Sequence, residues 1–320
     1  MTGRATAGHG VSWRPVAILL LAIVAALAAT VVVARSSDAS APSGGGKIIA
    51  VGAESQYADV ISQVGGQYVQ TSAIMSNPNT DPHTFEASIA VAREVGGAQL
   101  VVQNGLGYDS FMDSIESATP SADRAVINVQ QLLGLPDSTA NPHLWYDPAT
   151  MPKVAAAVAA SLAAAAPAHK AYFDARAAAF DASLDSLTTA IASFKAAYAD
   201  VPVAVTEPVA DYLLSALGAD NRTSWAFQAD IMNGVDPSPQ SVAAQRALFT
   251  GHKVKAFLYN EQVTDTLTES FITLAEQNHI PVVGVYETMP ADHDYQTWMR
   301  AEVRALHDAV ADQVSTEHLG

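Results

Sequence analysis

Downstream of residue 46 the chain alternates between short apolar runs and longer stretches whose apolar residues recur at helical spacing. Lys47–Val51, Tyr68–Ile74, Gln99–Gln103 and Ala125–Val129 are of the first kind and predict strands. Ser55–Val64, Phe85–Gly96 and Asp109–Ser117 are of the second kind and predict helices. Repeated strand–helix units imply a mainly parallel sheet with helices on both faces. The pattern changes over Ala149–Ala199, which is alanine-rich and almost free of glycine, with Pro152 near its start and Pro167 inside. Alanine favours helix and an interior proline interrupts one. A helix before Pro167 is therefore expected, followed by a long one from Ala168 to Tyr198. About 31 residues at 1.5 Å each give roughly 45 Å, enough to span two lobes side by side. The alternation then resumes, with strands at Val201–Thr206, Ala256–Tyr259 and Val282–Tyr286. Helices are expected at Pro208–Leu217, Ser238–Phe249, Thr264–Asn278 and from Asp294 onward. The second half resembles the first in style, without a sequence repeat.

The beginning of the chain obeys another rule. Residues 1–14 are polar and carry Arg4 and Arg14, and Val16–Ala34 then run 19 residues with Thr30 as the one polar member. A cleaved signal usually has a shorter apolar region, whereas a spanning helix wants about 20 residues. The expectation is an uncleaved anchor, although Ala39-Ser40-Ala41 offers a small-residue cleavage site ahead of Pro42. Either way the arginines stay inside and the remainder is exported. Residues 36–46, rich in Ser, Ala, Pro and Gly, form a flexible tether.

Composition narrows the function. With 320 residues and 49% hydrophobic content, the chain can bury a large core and build two domains. Its net charge is −16, and beyond residue 35 it has 13 Lys and Arg against 32 Asp and Glu. Such a surface repels nucleic acid and anionic lipid. There is no cysteine, so a disulfide, a thiol nucleophile, a Cys-ligated zinc and a lipoprotein anchor on cysteine are all excluded.

Two segments carry chemistry: Asp81-Pro82-His83 and Asn141-Pro142-His143-Leu144-Trp145-Tyr146-Asp147-Pro148. Each places a histidine directly after a proline, on a stiffened loop. Alone, either histidine reads as a surface or capping residue. Together, in matched contexts, they read as two imidazoles aimed at one metal ion. Ligands of open parallel sheets bind beyond the C-terminal ends of strands. Glu207 and Glu287 come directly after two strands of the second half, so a cleft between lobes would gather His83, His143, Glu207 and Glu287. Two imidazoles and two carboxylates make an N2O2 site, or a higher-coordinate one with bidentate carboxylates. Glu261, after the Ala256–Tyr259 strand, competes for the same geometry. Asp147 reads either as a carboxylate orienting an imidazole or as the cap of the helix after Ala149. His293, between Asp292 and Asp294, belongs to a solvated loop, and the remaining histidines of the region beyond residue 46 belong to the surface.

These residues resemble the substrate-binding proteins of bacterial ABC importers for zinc and manganese, the cluster A-I, ZnuA-like family. The likeness covers Lys47 to the C-terminus. It rests on Asp81-Pro82-His83-Thr84-Phe85-Glu86, on Asn141 to Pro148, on Thr206-Glu207 before a helix, and on Val285-Tyr286-Glu287-Thr288. The resemblance implies two α/β lobes joined by one long rigid helix, with Zn2+ or Mn2+ held between them as transported cargo. It implies His83, His143, Glu207 and Glu287 as ligands, and an ABC permease with its ATPase as partners. The expected organisation is a signal or anchor helix and tether over 1–46, metal-binding lobes over 47–148 and 201–320, and a helical linker over 149–200. The protein would act at the outer face of the cytoplasmic membrane, tethered through its N-terminal helix, and would not be an enzyme. Three features depart from the family pattern: there is no His-rich acidic loop, the last ligand is Glu in place of Asp, and the lipoprotein cysteine is missing.

Two other functions compete. A zinc hydrolase would need an open coordination position and a general base, and the chain has no His-Glu-x-x-His, Gly-x-Ser-x-Gly or Walker loop. A surface adhesin is the third reading, which normal metal accumulation in a deletion strain would favour.

Overall fold

The computed structural model describes residues 1–3, 46–77 and 85–319. His83 and the apolar run Val16–Ala34 lie outside the described residues, and among the described residues no helix is long and apolar enough to cross a membrane. Lys47–Gly320 form one structural unit, which holds all the elements described below.

In its first half β1 (Ile48–Glu54) leads into α1 (Ser55–Gly65) and β2 (Val69–Met75), with α2 (Ile89–Gly96) and β3 (Leu100–Gln103) after them. Then come α3 (Ser110–Ala118), β4 (Ala125–Asn128) and α4 (Val129–Leu133). α2 starts four residues later than Phe85 because Ser88 caps it, its side chain accepting from the Val91 N–H. Gly52 lets α1 approach β1, since a Cβ there would lie 2.3 Å from the Ala58 nitrogen.

A helical spine comes next: α5 (Thr150–Ala165), α6 (Lys170–Ser183) and α7 (Asp185–Tyr198). Pro167 sits in a 3-10 turn, Pro167–His169, so the expected break is where it falls. The long helix has a one-residue interruption at Leu184, whose φ of −80° and ψ of −8° keep the chain right-handed. Its buried stripe runs through the break: Phe173, Phe180, Leu184, Leu187, Ile191, Phe194.

The second half contains β5 (Pro202–Val205), α8 (Asp211–Leu217), β6 (Asp220–Asn221), α9 (Trp225–Met232), α10 (Pro239–Thr250), β7 (Ala256–Asn260), α11 (Thr266–Gln277), β8 (Val282–Val285) and α12 (Tyr295–Asp312). The hydrophobic pattern does not predict β6 or α9: β6 has two residues, and α9 is a short helix without a clear apolar face.

Both sheets are four-stranded and parallel, with orders β2-β1-β3-β4 and β6-β5-β7-β8. The strand order reverses between β1 and β3 in one lobe and between β5 and β7 in the other, which is where ligands bind in such sheets. Alternation along the strands divides the core. Ala256 and Leu258 of β7 face a central core, while Phe257 and Tyr259 face an outer one with Phe227, Phe249 and Phe271. The central core takes side chains from both sheets, α1, the spine, α8 and α12, so one apolar interior runs through both lobes. The two lobes joined by a helical spine are the architecture expected from the sequence.

Candidate metal centre

The residues around the cleft come from loops pinned by their neighbours. After β5, Thr206 bonds its N–H to the Leu258 carbonyl and accepts from the Asn260 N–H. After β8, the N–H groups of Glu287 and Thr288 both bond the Gln262 side-chain oxygen at 2.7 Å. Glu207, Asn260 and Glu287 thus stand at the C-terminal ends of β5, β7 and β8, at the reversal of strand order. From the other lobe, Asn104 at the end of β3 donates to the Pro142 carbonyl at 2.9 Å and fixes the residue before His143.

Asn141 holds His143 twice. Its Oδ1 accepts the His143 backbone N–H at 3.0 Å and lies 2.7 Å from the ring Nδ1. Because that oxygen is an acceptor, Nδ1 carries the hydrogen and Nε2 presents its lone pair. Nε2 points at Glu287 Oε2, 3.2 Å away, and both side chains have 0% exposure. A lone pair facing a carboxylate oxygen at that distance is stable when a proton or a cation lies between them. The Asn260 carboxamide nitrogen donates to Glu287 Oε1 at 2.6 Å and to Glu207 Oε1 at 3.3 Å. Tyr108 donates its hydroxyl to Glu287 Oε2 at 2.9 Å. Trp145 packs edge-on to the His143 ring at 5.4 Å and keeps the pocket apolar behind it.

The structure therefore brings together His143, Glu207 and Glu287, the last two through Asn260, while His83 lies outside the described residues. Glu261 is not part of the group: it accepts from Tyr259 at 2.8 Å and pairs with His318 near the C-terminus. Asp147 accepts the N–H of Ala149, the residue before α5, at 2.9 Å, and the residue that orients the imidazole is Asn141. Tyr146 donates to the Tyr286 carbonyl at 2.8 Å and so ties the His143 loop to the Glu287 loop. Asn260, Tyr108 and Asn141 are the participants that sequence reasoning missed. Asn260 is the last residue of β7 itself, one residue beyond the expected end at Tyr259, and it takes the place in the group that the strand-end rule offered to Glu261. His307, Asp308 and Asp312 hold ligand atoms within 4.8 Å of one another on α12, but His307 and Asp312 are exposed and water competes there.

Among the described residues no lysine or arginine is buried, whereas Glu54, Asp109, Glu207, Glu287 and Glu302 are. A buried carboxylate without a cationic side chain needs another source of positive charge. For Glu302 it is a proton: burial pushes its carboxyl up to about 8.

Two parallel α/β lobes with an imidazole and two carboxylates converging between them make the cleft the candidate binding site. The chain belongs to the ZnuA family, described as zinc-uptake complex component A, periplasmic, whose model matches residues 51–309. It is 28% identical over 107 residues to a zinc-binding protein, TroA, of Treponema pallidum, covering 32% of this chain and 34% of that one. It is 25% identical over 115 residues to a manganese-binding lipoprotein, MntA, of Bacillus subtilis, covering 34% of this chain and 37% of that one. The matched stretches thus span about a third of the length of these curated relatives. In fold it is similar to a crystal structure of ZnuA, with a TM-score of 0.68, 19% identity, and 83% of this chain and 100% of that chain covered. The structure of periplasmic TroA from Treponema pallidum gives a TM-score of 0.68 at 18% identity, covering 84% of this chain and 100% of that one.

Proposed function

We propose that this protein captures a divalent transition-metal ion, zinc or manganese, between its lobes and delivers it to the permease of an ABC importer. The observation that carries the reading is the His143 Nε2 lone pair facing Glu287 Oε2 at 3.2 Å in full burial, with Glu207 held alongside by Asn260. A cation in that place accepts electron pairs from an imidazole and carboxylates, the donor types that suit zinc and manganese. His83 is proposed as the fourth ligand on its Pro-His context. The lobes would be 47–148 and 201–320, with 149–200 as linker. The family name supports an extracytoplasmic location, and the basic start ahead of Val16–Ala34 supports tethering at the cytoplasmic membrane. The reading is one of carriage without turnover, as suits a solute-binding family.

The test is calorimetric titration of the metal-stripped protein with Zn2+ and Mn2+ separately. One-to-one binding that disappears in His143→Ala and weakens in Glu287→Ala is the expected result, and the tighter ion identifies the cargo. Binding of neither ion would sink the proposal.

A further inference from the structure

Behind the proposed centre lies a second pair of buried acids that the metal reading does not use. Glu54 ends β1 and Asp109 precedes α3, with exposures of 2% and 1%. Both stand at N-cap positions, of α1 and of α3, and neither side chain caps its helix. Asp109 instead turns back to the loop before it and accepts the backbone N–H groups of Asn104, at 2.5 Å, and Gly105, at 2.9 Å. Among the described residues no N–H or O–H donor reaches either Glu54 oxygen with hydrogen-bond geometry. Its side-chain contact is the Asp109 carboxyl. Two carboxylates cannot hydrogen-bond each other, so this contact requires a hydrogen on one of them.

The surroundings agree. The titratable groups facing the pair are Tyr57 from α1, Tyr108 from the loop, and Glu116 on α3, itself next to Arg124 and Asp113. The one cation among these, Arg124, acts on Glu116 and on neither member of the pair. The N-termini of α1 and α3 and two backbone N–H groups support one negative charge here, and a second would go uncompensated. Burial and Asp109 raise Glu54 well above the ordinary carboxyl range, while burial lifts Asp109 to about 6 against the opposing pull of its N–H donors. Asp109, with two N–H donors, is the better seat for the negative charge, and Glu54, with none, for the hydrogen.

What the pair holds is an unusual loop. Gly105, Leu106 and Gly107 have φ values of 83°, 55° and 79°, three successive residues in the left-handed region, one of them not glycine. Such a run persists when its surroundings impose it. The ties are Asp109 to Asn104 and Gly105, and Gln130 Oε1 to the Leu106 N–H at 2.9 Å. The next residue is Tyr108, whose hydroxyl reaches across the cleft to Glu287.

We propose that Glu54 and Asp109 share one proton, and that this hydrogen bond seats the Asn104–Asp109 loop so that Tyr108 orients Glu287. Glu54 and Asp109 are then positioning residues for a carboxylate of the opposite lobe. The shared proton stands on its own, while its effect on metal affinity rests on the metal-site reading above.

The experiment uses the full chain, metal-stripped, as wild type, Glu54→Gln, Glu54→Ala and Tyr108→Phe. An infrared difference spectrum at neutral pH, wild type minus Glu54→Gln, is expected to show one protonated-carboxyl C=O band. Glu302 contributes equally to both samples and cancels. Identical spectra in that region would overturn the shared proton. Zn2+ and Mn2+ titrations then read the positioning. Glu54→Gln, whose amide still donates to Asp109, keeps the wild-type affinity. Glu54→Ala and Tyr108→Phe each lose roughly tenfold or more, the usual scale for a residue that orients a ligand. Loss in Tyr108→Phe with none in Glu54→Ala would overturn the positioning role. If Glu54→Ala does not fold, equal losses in Glu54→Gln and Tyr108→Phe would overturn it too. If the wild type binds neither ion, the metal reading fails, and the infrared band still decides the shared proton.

Discussion

Asn260 sets one carboxamide nitrogen against two carboxylates from different strands, at 2.6 and 3.3 Å. It fixes their spacing before any ion arrives. Asn260→Ala is expected to lower metal affinity on the order of tenfold or more while leaving the fold intact, as read by calorimetry and circular dichroism. Glu302 is a different case, a buried acid on α12 that is not among the proposed ligands. Trp298 donates to its Oε1 at 3.0 Å, and the Tyr146 hydroxyl, which gives its hydrogen to the Tyr286 carbonyl, lies 3.2 Å from the same oxygen. Its carboxyl sits at about 8 in the fold against 4.5 unfolded. Between those values the folded chain binds more protons than the unfolded one, so stability falls as pH rises through this window. Glu302→Gln keeps an oxygen for Trp298 and removes the ionisation. Its thermal midpoint should match wild type near pH 4 and exceed it near pH 8. A wild-type advantage that grows with pH would contradict this assignment. At this scale the sequence spoke through residues with strong local constraints: the prolines marked His143, and strand ends marked Glu207 and Glu287. Asn260 and Tyr108 stayed hidden because an amide and a phenol acquire a role from what the fold brings opposite them.

Among the elements, the helices show how much stop and start signals decide. α11 and α12 both begin with a reciprocal cap, Asp265 with Thr268 and Asp294 with Thr297, each aspartate accepting the threonine N–H. Asp265→Ala should cost about 1 kcal/mol, seen as a fall of about 2 °C in Tm for a unit of this size. These two helices were legible because caps and apolar spacing agree. α9 was not, because Trp225–Met232 is short and carries no clear period. The spine was legible apart from its break at Leu184, where Ser183 turns its hydroxyl back onto the Phe180 carbonyl at 2.6 Å. That back-bond competes with the helical ladder and is a local cause for the interruption.

At the scale of the whole unit, the lobes are bonded to each other as well as joined by the spine. Asn141 donates to the Pro208 carbonyl at 2.8 Å, Tyr212 to the Asn141 carbonyl at 3.0 Å, and Tyr295 to the Trp145 carbonyl at 2.7 Å. α12 returns from the second sheet to meet α1, with its Gln296 bonded to Gln63 and Ser183. With one core through both lobes, unfolding should be a single transition in which spectroscopic and calorimetric midpoints coincide; two resolved transitions would show that the lobes are independent. An ion present at 100 times its Kd should add about 2.7 kcal/mol to that transition. The β-α order predicted both parallel sheets, yet nothing in it showed that α12 would brace the opposite lobe, since such a contact depends on where the chain's end is carried.

The cross-cleft bonds also bear on time. An ion seated between His143 and Glu287 would be shielded from solvent by them, because both side chains have 0% exposure and Tyr108, Tyr146 and Asn141 fasten the lobes around them. Its residence would then be governed by how often those fastenings part together, a rate separable from the strength of the metal–ligand bonds. Release would then wait on the opening of the seam, and a weaker-binding variant with an intact seam would still exchange its ion slowly.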